Sequence, residues 1–240
     1  MDFLYKLISG HILFQVNGLK VLLDSGAPNS IGPGQFSFLD KNYNLQSNYM
    51  GLTIDKLSEY IGTHVDILMG CDIISKYDIC INPKEQKLTF GEHLIDEKYN
   101  VVLPLTDFMG IPIVQVNIQD NTINAFFDTG AQLSYIDPEL TNNYSSTGEK
   151  DDFYPGVGRF KTNTFDIPTT IGDEIISIEY GVLPELLQMT LMMADTQGIL
   201  GSELLNHFGY ILYLPSKELL LCKLALLRPL HNHGFFLFVG

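Results

Sequence analysis

Leu22-Leu23-Asp24-Ser25-Gly26-Ala27 and Phe126-Phe127-Asp128-Thr129-Gly130-Ala131 are the two stretches of the sequence that decide its fold. In each, an apolar run ends in an aspartate, a hydroxyl residue, a glycine and an alanine, and a serine follows at Ser30 or Ser134. One Asp-Ser/Thr-Gly triplet arises by chance in about one chain in ten of this size, and alone it indicates only a tight turn after a strand. Two copies with the same flanks indicate a shared function.

Each stretch lies inside a longer repeat. Before each aspartate, two β-type runs flank a turn, at Asn17-Gly18 in the first copy and at Gln119 to Asn121 in the second. After it comes an apolar-apolar-Gly block, Leu68-Met69-Gly70 or Ile199-Leu200-Gly201, followed by a short helix and two further strands. The repeat therefore predicts two similar lobes, related by a pseudo-two-fold axis.

The predicted fold class is all-β, with few and short helices. The first lobe is expected over residues 1–96 and the second over 97–240, with the charged stretch Gly91 to Asn100 as the linker. Outside the repeated blocks, the two helix candidates are Asp55 to Ile61 and Glu185 to Met193.

Composition excludes several classes of function. The 240 residues include 28 Asp and Glu against 14 Lys and Arg, a net charge of −14, which disfavours nucleic acid and anionic membranes as partners. No targeting segment is visible, and no apolar run approaches the roughly 18 residues of a membrane span. Three cysteines, an odd number without a secretion signal, are typical of reduced thiols, so we expect a cytoplasmic protein.

No cofactor and no metal are expected, because the sequence has no phosphate-binding, dinucleotide-binding or Gly-x-Ser-x-Gly pattern. His231 and His233 alone would make a poor metal site. His11 and His64 show no ligand spacing and are expected to be capping or surface residues.

The two aspartates suggest a specific chemistry. If the lobes face each other, Asp24 and Asp128 meet, and two carboxylates about 3 Å apart cannot both ionise cheaply. The pair then holds one proton, so one aspartate acts as a base while the other acts as an acid. Such a pair can add water to an amide without a covalent intermediate.

At these residues the sequence resembles the aspartic protease superfamily, in particular its retropepsin-like branch, duplicated on one chain as in pepsins. The resemblance implies a bilobal, acid-protease double β-barrel, and a water held between Asp24 and Asp128 in a central cleft. It also implies that the hydroxyls of Ser25 and Thr129 bond across to the opposite loop. By the same resemblance, the glycines that follow them, Gly26 and Gly130, bring backbone N–H groups to the carboxylates.

One departure from pepsins concerns Ala27 and Ala131. Pepsins usually carry Ser or Thr there, which donates a hydrogen bond to the catalytic aspartate. Loss of a donor to the ionised form raises the pKa of a carboxyl group. We therefore expect activity at a less acid pH than pepsins show, with an optimum above about 3.5.

A second departure concerns the lid over the cleft. From the aspartate to the glycine of the apolar-apolar-Gly block there are 46 positions in the first half but 73 in the second, so the second holds 27 extra residues, around Thr141 to Met193. Pepsins take their flap from the first lobe, whereas this spacing favours a flap from the second, with Tyr154 and the tip Gly156-Val157-Gly158 over the cleft. One alternative is that this segment is an ordinary surface hairpin. Another is that the lid is formed by Tyr49-Met50-Gly51 of the first half.

The function that these observations predict is an aspartic endopeptidase that takes a polypeptide in extended form. The alternatives are a catalytically idle module with the same fold that binds peptides or a partner protein, and a structural or regulatory interaction protein. We expect a monomer without nucleic-acid or membrane partners. The apolar tail Gly234 to Gly240 is expected to pair in a sheet between the lobes or to pack in the core, and an exposed tail would favour self-association.

Overall fold

The computed structural model describes residues 1–92, 94, 99–154, 157–215 and 217–223. Residues 93 and 95–98 of the expected linker and the whole apolar tail lie outside these residues, so the roles predicted for the tail remain predictions. The same holds for Gly156 at the tip of the expected flap and for His231 and His233.

The first half of the chain, residues 1–96, contains eight strands and two helices within its described part. In chain order these are β1 (Asp2–Ile8), β2 (His11–Val16), β3 (Leu19–Leu23), β4 (Gln35–Phe38), β5 (Lys41–Asn44), α1 (Ile54–Ile61), β6 (Ile67–Met69), α2 (Cys71–Ile74), β7 (Asp78–Asn82) and β8 (Lys87–Gly91). The predicted helix at residues 55–61 is α1, which Thr53 caps at its N-terminus and Gly62, with φ of 77°, ends.

The second half, residues 97–240, contains eleven strands and one α-helix within its described part. These are β9 (Val101–Pro104), β10 (Thr106–Phe108), β11 (Ile111–Ile118), β12 (Asn121–Phe127), β13 (Ser134–Ile136), β14 (Gly148–Tyr154), β15 (Gly158–Ile171), β16 (Glu174–Gly181), α3 (Glu185–Met193), β17 (Gly198–Leu200), β18 (Phe208–Leu214) and β19 (Glu218–Lys223). The short helix predicted after Gly201 is a 3₁₀ helix, Ser202–Asn206. The all-β prediction is confirmed.

The predicted hairpin before each aspartate is present. Strands β2 and β3 pair around Asn17 and Gly18, whose φ angles of 52° and 85° are those of the tight turns that suit two-residue hairpins. Strands β11 and β12 form the equivalent hairpin in the second half. The last three residues of β3 and of β12 are all buried, so each aspartate follows a strand that is anchored in the core.

The two halves share one sheet. Its strand order is β6-β3-β2-β1-β8-β7-β18-β19-β9, and the halves join where β7 pairs with β18, for example at Ile81 and Ile211. Outward from this junction, the first half continues with β8, the hairpin partner of β7, and then with β1. The second half continues with β19, the hairpin partner of β18, and then with β9. The first aspartate-bearing hairpin, β2–β3, belongs to this shared sheet.

The extra residues of the second half form a long hairpin, β14–β15, which continues into β16. Together with β10–β13 and β17 these strands make a separate eight-stranded sheet. Among the helices of the described residues, none has the length and apolar character needed to cross a membrane.

Candidate active site

Asp24 and Asp128 occupy equivalent positions at the ends of β3 and β12. In both halves a short parallel strand from the apolar-apolar-Gly block, β6 or β17, runs alongside. The backbone N–H of Asp24 donates to the carbonyl of Met69 at 3.0 Å, and that of Asp128 donates to the carbonyl of Leu200 at 2.9 Å. The two repeats therefore present their carboxylates in the same way.

The structure brings these two aspartates together. The two carboxyl groups are close enough that the charge of Asp128 raises the pKa of Asp24. The glycines beside them have no room for a side chain, because a Cβ added at Gly26 would lie 2.1 Å from Cγ of Asp128, and one at Gly130 would lie 2.3 Å from Cγ of Asp24. Glycine is required at both positions so that each loop can approach the opposite carboxylate.

Backbone N–H groups hold both carboxylates. Gly26 donates to Oδ1 of Asp24 at 2.9 Å, with a second contribution from the N–H of Ala27, and Gly130 and Ala131 donate to Oδ1 of Asp128 at 2.8 and 3.1 Å. Burial and then the charge of Asp128 raise the pKa of Asp24 well above its usual range. Burial also raises the pKa of Asp128, and the backbone donors on each side oppose the shift. The pair can therefore hold a single shared proton.

Ser25 and Thr129 lock the two loops together. The N–H of Ser25 donates to Oγ1 of Thr129 at 3.0 Å, and the N–H of Thr129 donates to Oγ of Ser25 at 2.9 Å. Each hydroxyl also donates into the opposite hairpin, Ser25 to the carbonyl of Phe127 at 2.7 Å and Thr129 to that of Leu23 at 3.0 Å. Both side chains are buried, so these four bonds are shielded from water.

The serine that ends each repeated motif supports the loop from behind. Oγ of Ser30 accepts from the N–H of Gly70 at 2.9 Å, and Oγ of Ser134 accepts from the N–H of Gly201 at 3.0 Å. Ser30 also donates to Oδ1 of Asp72 at 2.6 Å. The recurrence of this serine in both motifs was the sequence signal for this role.

The end of the β14–β15 hairpin lines the same cavity as the two aspartates, and we call this hairpin the flap. Tyr154 pairs with Gly158 at its end, and both Tyr154 and Val157 are partly buried. Burial and the nearby charges of Asp128 and Asp24 raise the pKa of Tyr154, so its hydroxyl stays protonated. Tyr49 and Met50, the alternative lid, line the same cavity from the first half.

The flap contacts helix α1 of the first half. The rings of Tyr60 and Phe153 lie 4.7 Å apart, and the guanidinium of Arg159 lies over the Tyr60 ring, 5.4 Å from its centroid. Arg159 also approaches the carbonyl of Glu59 at 3.5 Å. We call this group of contacts the flap latch. It was not visible in the sequence, because the residues are about one hundred positions apart.

Flap, aspartates and α3 enclose a cavity of about 300 Å³ with a mainly apolar lining. His11 lines it and is only 3% exposed, so the expectation that His11 is a capping or surface residue is wrong. It begins β2, whose first four residues are all buried. His64, in contrast, is exposed and pairs with Asp66.

A third carboxylate, Asp152, also lines the cavity. It accepts hydrogen bonds from the hydroxyl of Tyr135, from Nε2 of Gln132 at 3.0 Å and from the N–H of Phe153 at 2.8 Å. Burial raises the pKa of Asp152, and its charge in turn raises that of Asp128. These bonds attach the flap strand β14 to β13, directly after the second catalytic loop.

No protein-family model and no curated protein matches the sequence. Among solved structures, the chain is similar to an aspartic proteinase from Irpex lacteus, with a TM-score of 0.50 and 12% sequence identity, covering 93% of this chain and 97% of that one. The chain has the fold of the aspartic proteases. It is also similar to a retropepsin-like aspartic protease from Rickettsia conorii, with a TM-score of 0.36 and 18% identity, covering 51% of this chain and 89% of that one. Within this aspartic-protease fold, the long hairpin over the cavity belongs to the second half of the chain.

Proposed function

We propose that the chain is an aspartic endopeptidase, which hydrolyses peptide bonds with a water activated between Asp24 and Asp128. The observation that carries the proposal is the pair of buried, interacting carboxyl groups at equivalent strand ends of the two repeats, each approached by the glycine of the opposite loop. An isolated pair of buried acids destabilises a fold, because burial and mutual repulsion disfavour their ionisation. Their presence is best explained by the chemistry that they perform.

The base and the acid are the two members of this pair, which share one proton. The ionised aspartate removes a proton from the water, and the water oxygen attacks the peptide carbonyl carbon. The protonated aspartate donates its proton to the carbonyl oxygen, which gives a neutral tetrahedral diol. The aspartate that took the water proton then donates it to the amide nitrogen while the other removes a proton from a diol hydroxyl. The C–N bond breaks to give a carboxylic acid and an amine, and no acyl-enzyme forms.

The cavity suggests the substrate class. An extended polypeptide would lie between the catalytic loops and the flap, with main-chain hydrogen bonds to strand edges and apolar side chains against the apolar lining. The flap, with Tyr154, Val157 and Gly158 near its end, would exclude bulk water on closing, and the sequence adds Gly156 to this set as a prediction. The odd number of cysteines, together with the burial of Cys71 behind the loop of Ser25, supports a reducing, cytoplasmic location. We propose that the protein acts as a monomer.

The test is cleavage of a denatured protein mixture between about pH 3.5 and 7. We expect cleavage by the wild type, its loss in both Asp24→Asn and Asp128→Asn, and its retention in Asp120→Asn, which removes an exposed carboxylate from the second half. Equal cleavage by all four proteins would indicate a contaminant. Binding of peptides without cleavage by the wild type would instead support the idle binding module.

A second test addresses the flap. Deletion of residues 153–160 should reduce kcat/KM to background because water is no longer excluded and Tyr154 is lost. The protein should still unfold cooperatively, with a lower thermal midpoint because the contacts of Phe153 and Arg159 with Tyr60 are lost, since most of β14 and β15 and the pairing of β15 with β16 are retained. An unchanged kcat/KM would refute the assignment of the flap.

A further inference from the structure

His11 reaches from the first half of the chain to the catalytic machinery of the second. Its ring lies 6.0 Å from that of Phe153 on the flap, centroid to centroid, and it interacts with the backbone of Gly130 in the second catalytic loop. The side chain is 3% exposed and lines the cavity above the aspartates. His11 therefore lies where a bound substrate would pass.

The imidazole is not fully hydrogen-bonded. Nδ1 of His11 is buried without a hydrogen-bond partner, one of two such side-chain atoms in the described part of the chain. An unmade hydrogen bond to a buried polar group is unfavourable, and such groups in native structures need an explanation. Burial lowers the pKa of His11 to about 4, so the ring is neutral in most of the pH range of interest.

The surroundings of His11 allow its imidazole to discriminate between polar and apolar ligand groups. The neighbouring part of the cavity wall is apolar, with Leu22, Leu57 and Leu68 from the first half and Phe153 from the flap. In such a wall, one polar group that needs a partner discriminates strongly, because a ligand that cannot bond to it leaves it unpaired. A neutral imidazole offers one N–H and one lone pair.

We propose that His11 is a specificity-determining residue, which binds a hydroxyl or carboxamide side chain of the substrate. Both of these groups donate and accept hydrogen bonds, so they satisfy Nδ1 in either tautomer of the ring. A carboxylate side chain is excluded by the negative charge that the aspartate pair carries nearby. The proposal rests on the proposed function, since it requires that the cavity holds a peptide.

The experiment uses positional-scanning octapeptides, in which each position in turn is Thr or its isostere Val, and Asn or its near-isostere Leu. Cleavage and, with the Asp24→Asn protein, binding are measured for each pair. At one position we expect the polar peptide to be favoured about tenfold, the size typical of one hydrogen bond made to a buried neutral group. His11→Leu should abolish this preference, and His11→Asn, which keeps a polar group near Nδ1, should retain part of it.

His64→Leu is the matched control, since His64 is exposed and is not one of the residues that line the cavity, and it should leave the preference unchanged. The circular dichroism spectrum and thermal unfolding midpoint of His11→Leu, measured beside those of the wild type, distinguish loss of recognition from loss of folding. Absence of a polar preference in the wild type, in cleavage and in binding alike, would overturn the role of His11. Absence of cleavage with the preference still present in binding would overturn only the proposed enzyme activity.

Discussion

Replacement of Thr129 by valine tests the lock between the two catalytic loops. Valine has the same shape, so the change removes only the hydroxyl, which accepts from the N–H of Ser25 and donates to the carbonyl of Leu23, both at 3.0 Å. Thr129 is buried, so water cannot replace these bonds. Each buried group that loses its partner costs about 1–3 kcal/mol, and two give about 2–6 kcal/mol. That is a large fraction of the roughly 5–15 kcal/mol by which domains are stable.

The measurement is urea denaturation followed by circular dichroism, in wild type, Thr129→Val and Thr122→Val. The control Thr122 lies in the same half and donates to Asn117 at 2.6 Å, but this pair is exposed. Its loss should change the free energy of unfolding by less than about 0.5 kcal/mol. If Thr129→Val costs no more than the control, the buried bonds do not hold the halves together, and our account of the lock is wrong.

Three further predictions concern the dyad and the flap. Asp24→Asn should raise the free energy of unfolding at pH 7. Because the pKa of Asp24 is raised in the folded state, this side chain stabilises the fold fully only below its unfolded pKa near 3.8, and the stabilisation is lost as pH rises through the folded pKa. Thermal melts in which the gain from Asp24→Asn does not shrink toward pH 3 would contradict this. Gly130→Ala should lower kcat/KM at least 100-fold by displacing Asp24, which corresponds to about 3 kcal/mol of activation free energy. Gly148→Ala, whose added Cβ has an ordinary 3.7 Å contact, should leave kcat/KM unchanged. Tyr60→Leu should weaken the flap latch by about 1–2 kcal/mol and so speed amide hydrogen exchange in the flap about 5–30-fold. Equal exchange rates in the variant and the wild type would refute the latch.

The sequence was sufficient for the parts of the site that recur along the chain. Asp24 and Asp128 were identified because each repeat carries the same local pattern, and the long hairpin of the second half was located from the unequal spacing between matched blocks. Helices α1 and α3 were predicted from local composition. In each case the signal lies within one segment or in the comparison of two equivalent segments.

Other parts of the site depend on contacts between segments that have no common pattern. Tyr60 and Phe153 are in different halves and come into contact only in the folded chain. The side-chain partners of Asp152, Gln132 and Tyr135, come from the segment that follows the loop of Asp128, and an aspartate in a charged stretch gives no sign of burial. His11 did offer a signal, since it opens a run of apolar residues, but the sequence alone does not distinguish a buried histidine from one at a strand end.

The single long hairpin beside the two carboxyl groups has a consequence for the direction in which a peptide is read. In a symmetric homodimer either aspartate can take either role, so a peptide can enter in both orientations with equal outcome. Here the hairpin belongs to the second half alone, whereas Tyr49 and Met50 line the cavity from the first half. The two ends of the cleft therefore differ, and we expect a peptide and its reversed sequence to be cleaved at different rates.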